Sequence, residues 1–140
     1  KTMKQERRLV LKTDYSTRRK VAKWVLGCYD LQPVISTDDT INCNGYYLPD
    51  EDRVVLNPKL NTYDFIETTI HEAKHVMDAY KYGIDKFRTK YNQASVVAVN
   101  CGNDPYLDNK WEIRATNFAD KEMKKKWRDL YDDYSKSCEE

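Results

Sequence analysis

The chain contains two histidines, His71 and His75, and they stand four residues apart in the middle of a segment with helical periodicity. Asn61 or Thr62 can cap the start of this segment and Gly83 can stop it. Between them Phe65, Ile66, Thr69, Ile70, Ala73, Val76, Met77 and Tyr80 recur as a core stripe. On a helix, positions i and i+4 lie one turn apart on the same side, so both imidazoles can be aimed at one point. A fold that respects this pattern must pack the apolar stripe and still leave the histidine side open to further groups.

The intervening residues make the spacing chemically specific. His71-Glu72-Ala73-Lys74-His75 is an H-E-x-x-H sequence, in which both imidazole nitrogens can be directed at a single Zn²⁺ about 2.0–2.1 Å away. Zinc lowers the pKa of a bound water to roughly 7, and the carboxylate of Glu72 is a suitable base to take its proton and return it to a leaving amine. A catalytic zinc needs a third protein ligand and an open position for water. With no third histidine, that ligand is expected to be a carboxylate in preference to a thiolate.

Glu112 is the favoured carboxylate. It falls on the stripe Glu112, Ala115, Ala119, Met123, Trp127, Leu130 and Tyr134 of a helix expected over about 110–135. A lone acid on such a stripe is costly unless a cation satisfies it. The small side chains at Ala115 and Ala119 would let the two helices approach closely. Asp78, at i+7 from His71, is the competitor, but its short side chain starts nearly a further turn along. It is expected instead to accept the outer N–H of an imidazole, or to pair with Lys74 or Lys81. Tyr80, Tyr82, Tyr106 and Arg114 are donors near the motifs that could stabilise an oxyanion, and sequence does not choose among them.

The remainder reads as one domain over residues 1–140, with one helix, a short sheet and then the two helices above. Val21, Trp24, Val25 and Cys28 have helical spacing from about 16 to 29, which makes Cys28 a core thiol. Residues 33–37 are β-rich. Gly45 to Leu48 and Arg53 to Asn57 flank Pro49-Asp50-Glu51-Asp52, a turn sequence, and form an expected β-hairpin. From 87 to 107 the pattern is weak, with a short strand possible over 95–99 before a loop at 100–105. Cys43 and Cys101 could pair in an oxidising compartment, but the scattered cysteines, Cys138 included, are expected to be free thiols.

Charge narrows the partners. Lys and Arg total 24 against 23 Asp and Glu, a net charge of +1, so no overall field favours nucleic acid or an anionic membrane. The basic run from Lys121 to Arg128 reads as a solvated helix face rather than a phosphate site. No apolar stretch approaches the ~20 residues of a membrane span. The chain is therefore expected to be soluble, with a polar N-terminus that lacks the apolar core of a signal peptide.

Gly45-Tyr46-Tyr47, Val54-Val55-Leu56-Asn57, Ile70 to Asp78 and Glu112-Ile113-Arg114-Ala115 together resemble the mitochondrial inner-membrane peptidase family that helps assemble ATP synthase, which carries H-E-x-x-H-x-x-D followed by E-I-R-A. Glu112-x-x-Ala115-x-x-Phe118-Ala119 is also similar to the glutamate helix of ImmA/IrrE-type peptidases. Both resemblances cover about residues 45 to 120. They imply an α+β minimal zincin fold: a small twisted sheet with a β-hairpin, packed on the H-E-x-x-H helix and closed by a C-terminal glutamate helix. They further imply one zinc ion on His71, His75 and Glu112, catalysis by Glu72, and a peptide or protein substrate lying along the hairpin edge. Many proteins of this look are encoded by bacteriophages, so the expected location is cytoplasmic, or particle-associated for a phage product. The alternative function is a zincin-like metal-binding structural or interaction protein, for example a virion or assembly component, with little or no turnover.

Overall fold

The computed structural model describes the backbone of residues 15–139 and the side chains of 17–125. It is a mixed α+β fold. In chain order the elements are α1 (Tyr15–Gly27), β1 (Val34–Thr37), β2 (Gly45–Leu48), a 3-10 turn (Pro49–Glu51), β3 (Arg53–Leu56), α2 (Thr62–Tyr82), α3 (Ile84–Asn100) and α4 (Lys110–Glu139).

The first helix buries Val21, Ala22, Val25 and Leu26. Cys28 does not join them and is exposed, which corrects its expected place in the core. The helix ends at Gly27, and the chain then reverses through Asp30, whose φ is 59°. Helical spacing no longer governs position 28.

The three strands are ordered β1-β3-β2. The expected hairpin forms: β2 and β3 are antiparallel, with Tyr46 opposite Val55 and Leu48 opposite Arg53. β1 pairs in parallel with the other side of β3, Val34 opposite Arg53 and Thr37 opposite Leu56. The central strand is thus the unbroken apolar run Val54-Val55-Leu56, all buried, as a strand covered on both sides requires. Asp52 closes the hairpin in a left-handed conformation, φ 48°. Its carboxylate accepts hydrogen bonds from Tyr47 Oη at 2.8 Å and Tyr80 Oη at 2.7 Å. The second bond ties the hairpin corner to α2. It also explains why Tyr80 is exposed rather than part of the expected core stripe.

The main core lies between the sheet, α1 and the apolar side of α2, where Val54 and Leu56 meet Phe65, Ile66, Ile70, Ala73 and Val76. Asn61 caps α2, its side chain accepting from the Asp64 N–H at 2.8 Å. Just upstream, the fully buried Arg18 donates to the Leu60 carbonyl at 2.8 Å, fixing where the helix begins. Gly83, at φ 92°, ends α2 and starts α3 without an intervening loop.

α3 is a correction. Residues 95–99 are the C-terminal part of a 17-residue helix, not a strand. Its packed seam is Phe87, Tyr91, Ala94 and Ala98, at i, i+4, i+7 and i+11. Val96, Val97 and Val99, which suggested a strand, are exposed. Among the described residues there are therefore four helices, one more than expected.

α4 packs along α2 through Ala115, Ala119 and Met123, all buried. The expected continuation of that stripe through Trp127, Leu130 and Tyr134 lies outside the described side chains, as does Cys138. Lys121, Lys124 and Lys125 are exposed. Cys43 and Cys101 are both exposed and not joined to each other. No helix among the described residues is long and apolar enough to cross a membrane.

Candidate metal centre

The packing of α2 against α4 brings His71, His75 and Glu112 together. Nε2 of His71 lies 2.8 Å, and Nε2 of His75 3.1 Å, from the same carboxylate oxygen, Oε1 of Glu112. The imidazole centroids are 5.1 Å apart with their planes at 77°. The i, i+4 spacing sets the first relation. The absence of side-chain bulk at Ala115 and Ala119 permits the second. These three groups, with ligand atoms within 4.8 Å of one another, could hold a metal ion.

Glu72 is the fourth member of the cluster. It is 3% exposed, and its Oε1 is buried without a hydrogen-bond partner. Burial raises its pKa against the opposing pull of His75 and His71. Burial likewise disfavours the charged forms of Glu112 and His75. The hydrogen bonds from both imidazoles and Tyr91 outweigh it at Glu112, whose pKa is lowered. The bond to Glu112, with the charges of Glu72, Glu112 and Asp78, outweighs it at His75, whose pKa is raised. Two buried carboxylates beside two imidazoles leave the centre with up to two negative charges when the rings are neutral, an arrangement that favours a divalent cation.

Asp78 is buried beside this centre and pairs with Lys74, Nζ to Oδ1 at 3.1 Å. Its Oδ2 and Nδ1 of His75 are both buried and have no hydrogen-bond partner. The lysine pair is formed and the imidazole bond is not.

Two open clefts flank the centre. One, of about 620 Å³, is lined by Tyr47, Pro49, His75, Phe87 and Tyr91. The other, about 1250 Å³ and open to solvent, is lined by Thr68, His71, Asn117 and Asp120. Gly45, Glu72 and Tyr106 line both. Of the four donors singled out in the sequence, Tyr106 alone lines either of these clefts. Tyr80 is bonded to Asp52, whereas Tyr82 and Arg114 pack on the Trp111 ring.

Two further residues at the centre had no sequence motif to announce them. Tyr91, on α3, donates its hydroxyl to Oε2 of Glu112 at 2.5 Å. Asn109, fully buried, caps α4 by accepting the Trp111 N–H at 2.8 Å. The i+4 relation of Phe87 and Tyr91 was the available signal for the first. An Asn immediately before an apolar-periodic helix was the available signal for the second.

No protein-family model matches this chain, and no curated protein or solved structure is significantly similar to it.

Proposed function

We propose that the chain is a zinc-dependent peptidase with a minimal zincin arrangement, as its resemblance to the two peptidase families implies. The observation that carries this reading is the convergence of His71 Nε2 and His75 Nε2 on one oxygen of Glu112, beside a buried carboxylate with an unpartnered oxygen.

The donor set suits zinc. Ligand atoms about 2.0–2.1 Å from a tetrahedral ion lie roughly 3.3 Å from one another. The two separations from Glu112 Oε1, 2.8 and 3.1 Å, would open by a few tenths of an ångström, and all the ligand atoms lie within 4.8 Å of one another. His71, His75 and Glu112 would hold the ion, leaving a fourth position toward the clefts. Bound zinc supplies Lewis acidity, lowering the pKa of water to roughly 7 and polarising a carbonyl.

The chain's own groups do the rest. Glu72 Oε1 takes the proton of the attacking water and hands it to the leaving amine nitrogen; its raised pKa suits both transfers. β2 is an edge strand beside Glu72, so its unpaired backbone groups can hold a peptide in extended form. The aromatic lining of the smaller cleft accepts an apolar side chain of that peptide.

Metal analysis of purified protein is expected to give one zinc per chain, lost in His71→Ala. Glu72→Gln should keep the zinc and lower the cleavage of a mixed peptide library by about 10²–10⁴-fold. A wild type without zinc defeats the reading. Zinc with cleavage unaffected by Glu72→Gln defeats the peptidase mechanism and favours a metal-binding structural protein.

A further inference from the structure

We infer that Tyr91 is a positioning residue that fixes Glu112 as a one-oxygen ligand; this rests on the zinc reading above.

The two oxygens of Glu112 have separate partners. Oε1 faces both imidazoles, and Oε2 accepts the hydroxyl of Tyr91. A carboxylate free to rotate can offer a metal either oxygen, or both at once. With Oε2 held by a phenol, Oε1 alone is turned toward the point between the histidines. This leaves room at the centre for water and a substrate carbonyl, which a second carboxylate oxygen would otherwise occupy.

Tyr91 can do this because it is itself held. Its ring meets that of His75 at 6.1 Å, edge to face, and that of Phe87 at 6.1 Å. Its backbone carbonyl accepts from Nδ2 of Asn109 at 3.0 Å. The same Nδ2 also donates to Ser95 Oγ at 2.9 Å, and Oδ1 of that side chain caps α4 three residues before Glu112. The turn of α3 that bears the phenol and the turn of α4 that bears the carboxylate are thus joined twice, once through the side chains and once through a buried amide. Groups that orient a metal's ligands in this way commonly account for 10–100-fold in affinity.

The test is Tyr91→Phe, which removes one oxygen and keeps the ring, studied beside wild type, Glu112→Ala and, as a control, Tyr82→Phe, a phenol that packs on Trp111 in the same cluster. Each protein is stripped of metal, its thermal midpoint is recorded, and it is titrated with zinc and separately with cobalt(II). Tyr91→Phe is expected to bind zinc 10–100-fold more weakly. Its cobalt absorption bands should weaken and shift as the carboxylate becomes bidentate, while the metal-free midpoint stays close to wild type. Tyr82→Phe should match wild type in both titrations. An unchanged affinity and a superimposable cobalt spectrum in Tyr91→Phe, with binding lost in Glu112→Ala, overturn the inference alone. Full affinity in Glu112→Ala overturns the ligand assignment and the inference with it.

Discussion

Gly45 on the edge strand lies so close to Thr68 on α2 that a Cβ at position 45 would come within 3.2 Å of Thr68 Cγ2, and within 2.7 Å of the Val55 carbonyl oxygen. The second of these contacts is with backbone, which cannot rotate out of the way. Gly45→Ala should therefore push β2 away from β3 and from α2 and destabilise the protein by about 1–3 kcal/mol, the usual range for overpacking. Urea unfolding with an unchanged m-value would measure it; a loss below about 0.5 kcal/mol would mean that the strand relaxes freely.

On the proposed peptidase reading, Tyr106 is the donor to test against charge developing in the reaction, because it lines both clefts together with Glu72. Removing its hydroxyl in Tyr106→Phe should lower kcat by about 10²–10³-fold with little change in KM, as for loss of one oxyanion donor. A rise in KM alone would assign the residue to substrate binding.

The loop carrying Tyr106 is held by Asp104, whose Oδ1 accepts the N–H groups of Tyr106 at 2.8 Å and Leu107 at 2.7 Å. These two bonds lower the pKa of its carboxyl. A carboxyl depressed on folding contributes stability above its unfolded pKa of about 3.9, and that contribution is lost as pH falls through the lower folded value. Amide exchange at Tyr106 and Leu107, corrected for its intrinsic pH dependence, should accelerate below about pH 4. In Asp104→Asn the two amides should exchange faster at neutral pH and lose that acid response.

Asp78 separates two roles by their readouts. Its bond to Lys74 is formed, while its other oxygen and Nδ1 of His75 are buried without partners. If Asp78 takes the imidazole N–H once metal is bound, Asp78→Asn should weaken zinc by about 10-fold or more. A lower thermal midpoint with unchanged zinc affinity would assign the residue to the Lys74 pair alone.

The spacing of His71 and His75 and the lone acid at Glu112 were readable because a helix converts sequence intervals directly into shared faces. Tyr91, and the bonds by which Asn109 reaches α3, were not. Their roles depend on α3, where three β-branched valines favoured a strand. Those valines face solvent, where packing does not decide, and the seam from Phe87 to Ala98 decides instead. The hairpin was legible from its turn residues. The parallel pairing of β1 with β3 was not, because it joins segments whose proximity is set by the whole fold. Cys28 was misplaced when helical periodicity was carried past Gly27.

His75 and Glu112 are 37 residues apart in sequence, with all of α3 between them. A cation bound to both is a cross-link, closing a loop that the unfolded chain would otherwise leave open. Such closure acts mainly on the unfolded ensemble, and its effect grows slowly with loop length. On the zinc reading, chelation should therefore act on the fold as well as on any reaction. It should lower the thermal midpoint and speed amide exchange first where α4 begins, since an ion held there would work as a removable clasp on the last helix.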